Sequence, residues 1–216
     1  SCDMLKGAVY GCLFCLVACI LIIALEVSTK SVSASFNFLR PYFIEHGGEA
    51  CLKTLTNRGV TFSALKNAGS KQCPVYNAVR VTSFSQTKIS GPLMLTCPTA
   101  LAIDKWLVLA EASFVEHLGS YNCRKARNSR AASEHSYGTA IDIAAIDGAS
   151  VLKDWGKNNE KGKKLQVAYS EACKIFHNSL GPEYNTLHKD HFHLDMGFGA
   201  GCWINDKVSK IIKLAR

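Results

Sequence analysis

A chain of 216 residues, 48% of them hydrophobic, has room for one ordinary domain with a real core plus an appendage, and this excludes a disordered chain. The formal charge of +8 suits an anionic neighbourhood such as nucleic acid, lipid head groups or an acidic wall polymer, without choosing among them. No internal repeat or low-complexity tract is visible.

The first element is apolar. Gly7 to Leu25, GAVYGCLFCLVACILIIAL, carries no charged side chain and is long enough for a helix to cross the hydrocarbon core of a membrane. Lys6 precedes it and Glu26 follows it. Two readings stay open: an uncleaved anchor, or a cleaved export signal with MLK as its n-region and VSA, ending at Ala34, as a distant cleavage site. Uniform apolarity with no polar face argues against a buried soluble helix. Residues 1–27 are therefore expected to be a transmembrane anchor or signal segment, residues 28–48 a linker with a turn at Pro41, and residues 49–216 the folded domain.

Six of the ten cysteines, Cys51, Cys73, Cys97, Cys123, Cys173 and Cys202, are spread through the expected domain. None of the six stands in a C-x-x-C pair, so disulfides in an exported domain are a better account than a zinc ribbon. Connectivity stays open, with Cys123–Cys173 the first expectation for a bridge near the site described below.

Within the domain, EACLKTLTNRGV is expected to form a short helix closed by Gly59, with Leu52, Leu55 and Val60 inward. AVRVTSF and GPLMLTC have the β-branched and apolar character of strands bounded by turn residues. CPTALAIDKWLVLAEASF places Pro98 near a first helical turn and Leu101, Trp106, Leu109 and Ala112 on one face, as the main core helix. SFVEHLGSYNCR either continues that helix or begins a strand. GKKLQVAYSEACKIFHNSLG reads as an amphipathic helix stopped by Gly181, with Trp155 and Trp203 as packing residues. This order predicts an α+β fold with a largely antiparallel sheet and flanking helices.

The chemistry concentrates in two places. LHKDHFHLDMG, Leu187 to Gly197, crowds His188, His191 and His193 together with Asp190 and Asp195. Upstream, SEHSYGTAIDIAAI sets His135 and Asp142 across Gly138, where a glycine lets a loop turn before a strand. Zinc hydrolases take three protein ligands from His and Asp or Glu and keep a fourth position open, so His135, Asp142 and one histidine of HFH make a plausible set. In a strand His191 and His193 share a face while Phe192 points to the other. His188 and Asp195 are expected to orient ligands.

Singly, each residue has a plainer reading: Asp142 as a turn cap, His135 as a loop donor, His193 as a core histidine. Ser133 and Tyr137 serve a loop backbone on the plainer reading. His46, His117 and His177 fall outside both motifs. The basic run KNNEKGKK lacks the interleaved aromatics of a single-strand platform, so no nucleic-acid partner is expected.

GSYNCR, SEHSYGTAIDI, LGPEYNTLHKDHFHLDM and Cys173 before IF resemble, in this order, the bacterial extensin-like protein C-terminal domain family over about Glu49 to Cys202. The S-x-H-x-x-G-x-A-x-D and H-x-H elements are also similar to those of zinc metallopeptidases of the lysostaphin, D-Ala-D-Ala and hedgehog type. That wider resemblance implies a fold carrying such a zinc site, with one Zn2+ held by His135, Asp142 and His193. One branch implies His191 beside the catalytic water, and another implies Asp190; strand geometry favours His191. Arg124 occupies the sequence order of an arginine that holds substrate or a developing oxyanion. The implied activity is zinc-dependent cleavage of amide bonds in peptidoglycan peptides, as an endopeptidase or carboxypeptidase. The implied place is a Gram-negative envelope, with the domain in the periplasm, anchored in the inner membrane or secreted. The alternative is a non-catalytic wall-binding or envelope scaffold protein that retains a structural metal site.

Overall fold

The structure is a computed structural model that describes residues 48–127, 129–199 and 201–204. The apolar run, residues 28–47 of the expected linker with His46, and residues 205–216 of the expected domain lie outside the described residues. Among those described, no helix is long and apolar enough to cross a membrane.

Helix α1 (Gly48–Asn57) buries Cys51 and Leu55 and ends before Gly59, whose φ of 79° is a left-handed stop. Strands β1 (Thr61–Gly69), β2 (Pro74–Ser83) and β3 (Lys88–Thr96) follow as an antiparallel meander. The sequence reading anticipates β2 and β3 but not β1. Helix α2 (Cys97–Leu109) is capped by the Thr96 hydroxyl, which accepts from the Thr99 N–H, and carries Pro98 in its first turn.

The buried face of α2 is Ala100, Ile103, Trp106 and Leu107, and this corrects the expected face. Leu101 is only partly buried, Leu109 is 51% exposed, and Ala112 is buried beyond the helix end. At about 100° per residue, Leu109 projects half a turn away from Ala100.

Strand β4 (Phe114–Gly119) resolves the open choice after α2 in favour of a strand. A 3-10 turn (Glu134–Tyr137) leads into β5 (Ala140–Ile146), which hairpins to β6 (Ala149–Ser150) through Asp147 and Gly148. Their φ values of 47° and 75° suit a tight two-residue turn of the Asp-Gly kind. Helix α3 (Val151–Asp154) and α4 (Glu160–Ile175) come next, then β7 (Asn178–Leu180), a second 3-10 turn (Thr186–His188), β8 (Phe192–Asp195) and β9 (Gly201–Cys202). Helix α4 ends at Ile175 rather than running to Gly181. Phe176 turns extended, and the His177 N–H donates to the Asp195 carbonyl, so the chain leaves the helix to join the sheet.

Among the described residues the sheet has the order β1-β2-β3-β4-β5-β8-β7-β9, with β6 paired to β5. All ladders are antiparallel except β3–β4 and β7–β9. Beneath it Trp106, Tyr169 and Phe192 are fully buried with Ile141, Ile143 and Leu165. Each such side chain contributes about 1.5–3 kcal/mol by leaving water. The indole N–H of Trp106 donates to the Ala168 carbonyl at 2.7 Å, tying α2 to α4, so Trp106→Ala would cost about 3–5 kcal/mol. Trp155 packs edge-on against Tyr169 and Phe192, as expected. Trp203 does not: it is 53% exposed and lies against Tyr184.

Three disulfides close the six domain cysteines: Cys51–Cys97, Cys73–Cys123 and Cys173–Cys202. The expected Cys123–Cys173 bridge is not formed. Cys173 on α4 faces β9, while Cys123, after β4, faces the β1–β2 turn, and each finds a nearer partner.

Candidate metal centre

His135, Asp142 and His193 converge on the sheet. β5 and β8 pair with Asp142 directly opposite His193, so the two side chains stand on one face. His135 arrives from the preceding 3-10 turn. The Ser133 hydroxyl accepts from the His135 N–H and the turn ends at Gly138, whose φ is 67°. A Cβ at Gly138 would sit 2.8 Å from Val75 Cγ1, so conformation and space both require glycine.

The three side chains offer ligand atoms that all lie within 4.8 Å of one another. His135 Nε2 is 3.1 Å from an Asp142 oxygen and 3.1 Å from His193 Nδ1, and His193 Nδ1 is 2.9 Å from the other Asp142 oxygen. Ligands about 2.0–2.1 Å from a tetrahedral zinc stand about 3.3 Å apart, so the triangle is of the right size.

Hydrogen bonding on the far side of each ring fixes what faces inward. His135 Nδ1 bonds the Ser120 carbonyl, and His193 Nε2 lies 2.9 Å from Asp195 Oδ2. Both partners only accept, which assigns the ring protons to His135 Nδ1 and His193 Nε2. In the neutral rings His135 Nε2 and His193 Nδ1 therefore turn lone pairs towards each other and towards the Asp142 carboxylate. Such a set of acceptors is stable only around a positive species, a proton or a metal cation. Ligand imidazoles held by a carbonyl and a carboxylate are the usual outer arrangement of a metal site.

Both holders are themselves fixed. The Ser120 hydroxyl donates to the Met94 carbonyl and accepts from the Met94 N–H, which pins the end of β4 to β3. Asp195 accepts from Asn178 Nδ2 at 2.8 Å and from the Gly197 N–H at 2.7 Å.

Electrostatics agree with this geometry. Burial opposes charge on Asp142, yet the His135 and His193 imidazoles hold its carboxyl far below the usual carboxylate range. Burial likewise disfavours the charged form of His193, but Asp142 and Asp195 outweigh it and push the pKa up to about 9. Burial is also the largest influence on Asp195, in the raising direction, and its bond from His193 brings the carboxyl below its ordinary value.

His191 stands at the rim, with Nε2 3.6 Å from an Asp142 oxygen and Nδ1 2.8 Å from Asp190 Oδ1. That bond from His191 is the main reason the Asp190 carboxyl lies below its ordinary value. His188 donates from Nδ1 to Asn185 Oδ1 at 2.7 Å, and its ring centroid is 5.3 Å from that of His191. Burial, reinforced by His193 and His191, lowers its pKa to about 4. Phe192 is fully buried on the opposite face, as the strand alternation implies.

Arg124 is placed differently. Its backbone N–H and carbonyl bond the Ser136 hydroxyl, and its exposed guanidinium donates to the Lys125 carbonyl, outside the triangle. Ser120, Asn185 and Asn178 are partners the sequence reading does not single out. A backbone carbonyl has no residue signature, and an asparagine in a loop reads as a turn former.

Fold and centre together define an α+β domain whose sheet carries a His-Asp-His donor cluster with the makings of a metal site. Residues 49–203 match the model of the family described as extensin-like protein C-terminus, and the chain belongs to that family. No curated protein and no solved structure matches the chain.

Proposed function

We propose that this domain is a zinc-dependent hydrolase that cleaves amide bonds of peptidoglycan peptides, related to the lysostaphin, D-Ala-D-Ala and hedgehog type of metallopeptidase. The observation that carries this reading is the convergence of His135, Asp142 and His193, whose facing imidazole nitrogens lie 3.1 Å apart and 3.1 and 2.9 Å from the two oxygens of the Asp142 carboxylate. Structural zinc sites use four protein ligands, whereas three with a position left over are the catalytic pattern, which weighs against the scaffold alternative. Zinc fits this donor set, since imidazole and carboxylate both suit it. Bound there, zinc would supply Lewis-acid polarisation of a carbonyl and activation of water.

The chain's own residues supply the rest. Asp190, kept ionised, receives the Nδ1 proton of His191 and so leaves His191 Nε2 as an acceptor on the side of the cluster. In this reading His191 takes the proton from the attacking water, and Asp190 orients the ring and stabilises its charged form. The two candidate bases thereby act as one pair. Arg124, exposed and bonded to the Lys125 carbonyl, meets substrate when its side chain turns inward. Three disulfides support a location outside the cytoplasm, as expected of an envelope domain in or facing the periplasm, held to the inner membrane by the N-terminal segment or released from it.

The test is elemental analysis and muropeptide release by the purified full chain, apo and zinc-loaded. Stoichiometric zinc with new muropeptides, both lost in His193→Ala, is the expected result. Zinc retention without any cleavage, unchanged by His191→Ala, would instead establish a scaffold.

A further inference from the structure

On β5, Ile141 and Ile143 point into the core, while Asp142 and Ala144 share the open face of the sheet. Ala144 forms part of a cleft of about 390 Å³, lined also by Glu116 and Leu118 from β4, Leu152 and Lys153 from α3, and Asp190. The volume lies within the range of small-molecule sites. Asp190 belongs both to this cleft and to the pair with His191, so the cleft adjoins the candidate centre.

Its chemistry is uneven in a useful way. Leu118 and Leu152 are 60% and 58% exposed, an apolar wall on either side of a small alanine floor. Among the described residues neither Glu116 nor Lys153 has an ion-pair partner, although the chain elsewhere pairs Lys157, Lys164 and Lys174 with acids. Two carboxylates and one ammonium thus surround an aliphatic slot.

We infer that the cleft is the subsite for the substrate residue flanking the scissile amide, and that it takes an aliphatic side chain ending in a free amino-acid head. The ammonium of that head meets Glu116 and Asp190, its carboxylate meets Lys153, and the methylene stem lies between Leu118 and Leu152. A plain aliphatic residue would leave Glu116 and Lys153 unanswered. A residue with only an ammonium would leave Lys153 unanswered. The inference rests on the amidase reading of the adjoining centre, and the experiment separates the two.

Three acetyl-alanyl-X-amide peptides would be titrated into the full chain by calorimetry, with X as norleucine, lysine, or a residue whose side chain ends in an α-amino-acid group. The last should bind about tenfold tighter than the first, with lysine between them. Lys153→Glu should remove the advantage of the zwitterionic peptide over the lysine peptide, and Glu116→Lys should remove that of lysine over norleucine. Both positions are exposed, and circular dichroism confirms that the variants fold. Affinities equal within about twofold for all three peptides would overturn the inference. Graded binding with no amide cleavage by the zinc-loaded chain would retire the amidase and leave the subsite standing. Cleavage with the same kcat/KM for every X would do the reverse.

Discussion

Asp104 and Asp142 are both carboxylates drawn into the fold, yet what faces them is opposite. Asp104, fully buried on α2, accepts from Arg58 Nε at 2.5 Å, from the Ser85 N–H at 2.9 Å and from the Ser85 hydroxyl at 2.7 Å. Donors saturate it, and it binds α1, α2 and the β2–β3 turn into one corner. Asp142 instead faces two imidazoles whose protons point elsewhere. Burial of a charge therefore does not mark a site; a carboxylate shared between two imidazole nitrogens does.

Substitution separates the two most strongly at these carboxylates themselves. Asp142→Ala should weaken zinc binding by more than about a hundredfold, beyond the range seen for loss of an outer partner, in competition against a chromophoric chelator. Asp104→Ala should leave zinc stoichiometry intact and lower the unfolding free energy by about 3–5 kcal/mol in denaturant melts, because Arg58 and Ser85 lose their acceptor. If Asp104→Ala also abolished zinc binding, the contrast between the regions would collapse.

The same contrast governs what could be read from the sequence. His135, Asp142 and His193 were legible because strand alternation and a turning glycine convert spacing into a shared face, and Asp142 does stand opposite His193. Asp104 was not legible: it is one acid in the apolar stretch ALAIDKWLVL, and its partners come from 46 and 19 residues away. β1, TFSALKNAG, alternates weakly and gave no strand signal. The Asp147-Gly148 pair is a recognised hairpin signal, but the returning strand β6 is only two residues long and has no pattern of its own. Cysteine pairing depends on which strands meet, so no spacing rule could select Cys173–Cys202 over Cys123–Cys173.

A smaller effect probes the outer ring of the centre. Asp195→Asn keeps one acceptor oxygen in place of two, so it cannot serve both His193 Nε2 and the Gly197 N–H, and it removes the negative charge that raises the basicity of the ring. Zinc affinity should fall by about 10- to 100-fold with little change in the fold, measured by the same competition. A loss as complete as that of Asp142→Ala would place Asp195 among the ligands rather than behind them.

The smallest change tests a third carboxylate, of the Asp104 kind but nearer the surface. Asp147 caps the start of β4, accepting from the Ser113 N–H, the Ser113 hydroxyl and the Phe114 N–H, and pairs with Lys164. Burial would raise its pKa, but Lys164 and these donors outweigh it and hold the carboxyl below its ordinary value. A lowered native pKa means that the unfolded chain binds the proton more readily. Its stabilisation is therefore full above the unfolded value of about 3.9 and is lost as the pH falls through the native one. Asparagine tolerates the left-handed turn and keeps one acceptor, so Asp147→Asn should cost only about 1 kcal/mol at pH 7. In urea melts the gap between the variant and the native chain should close below about pH 4. A gap that persists in acid would mean that Asp147 acts through its shape in the turn, not its charge, and would set it apart from both Asp104 and Asp142.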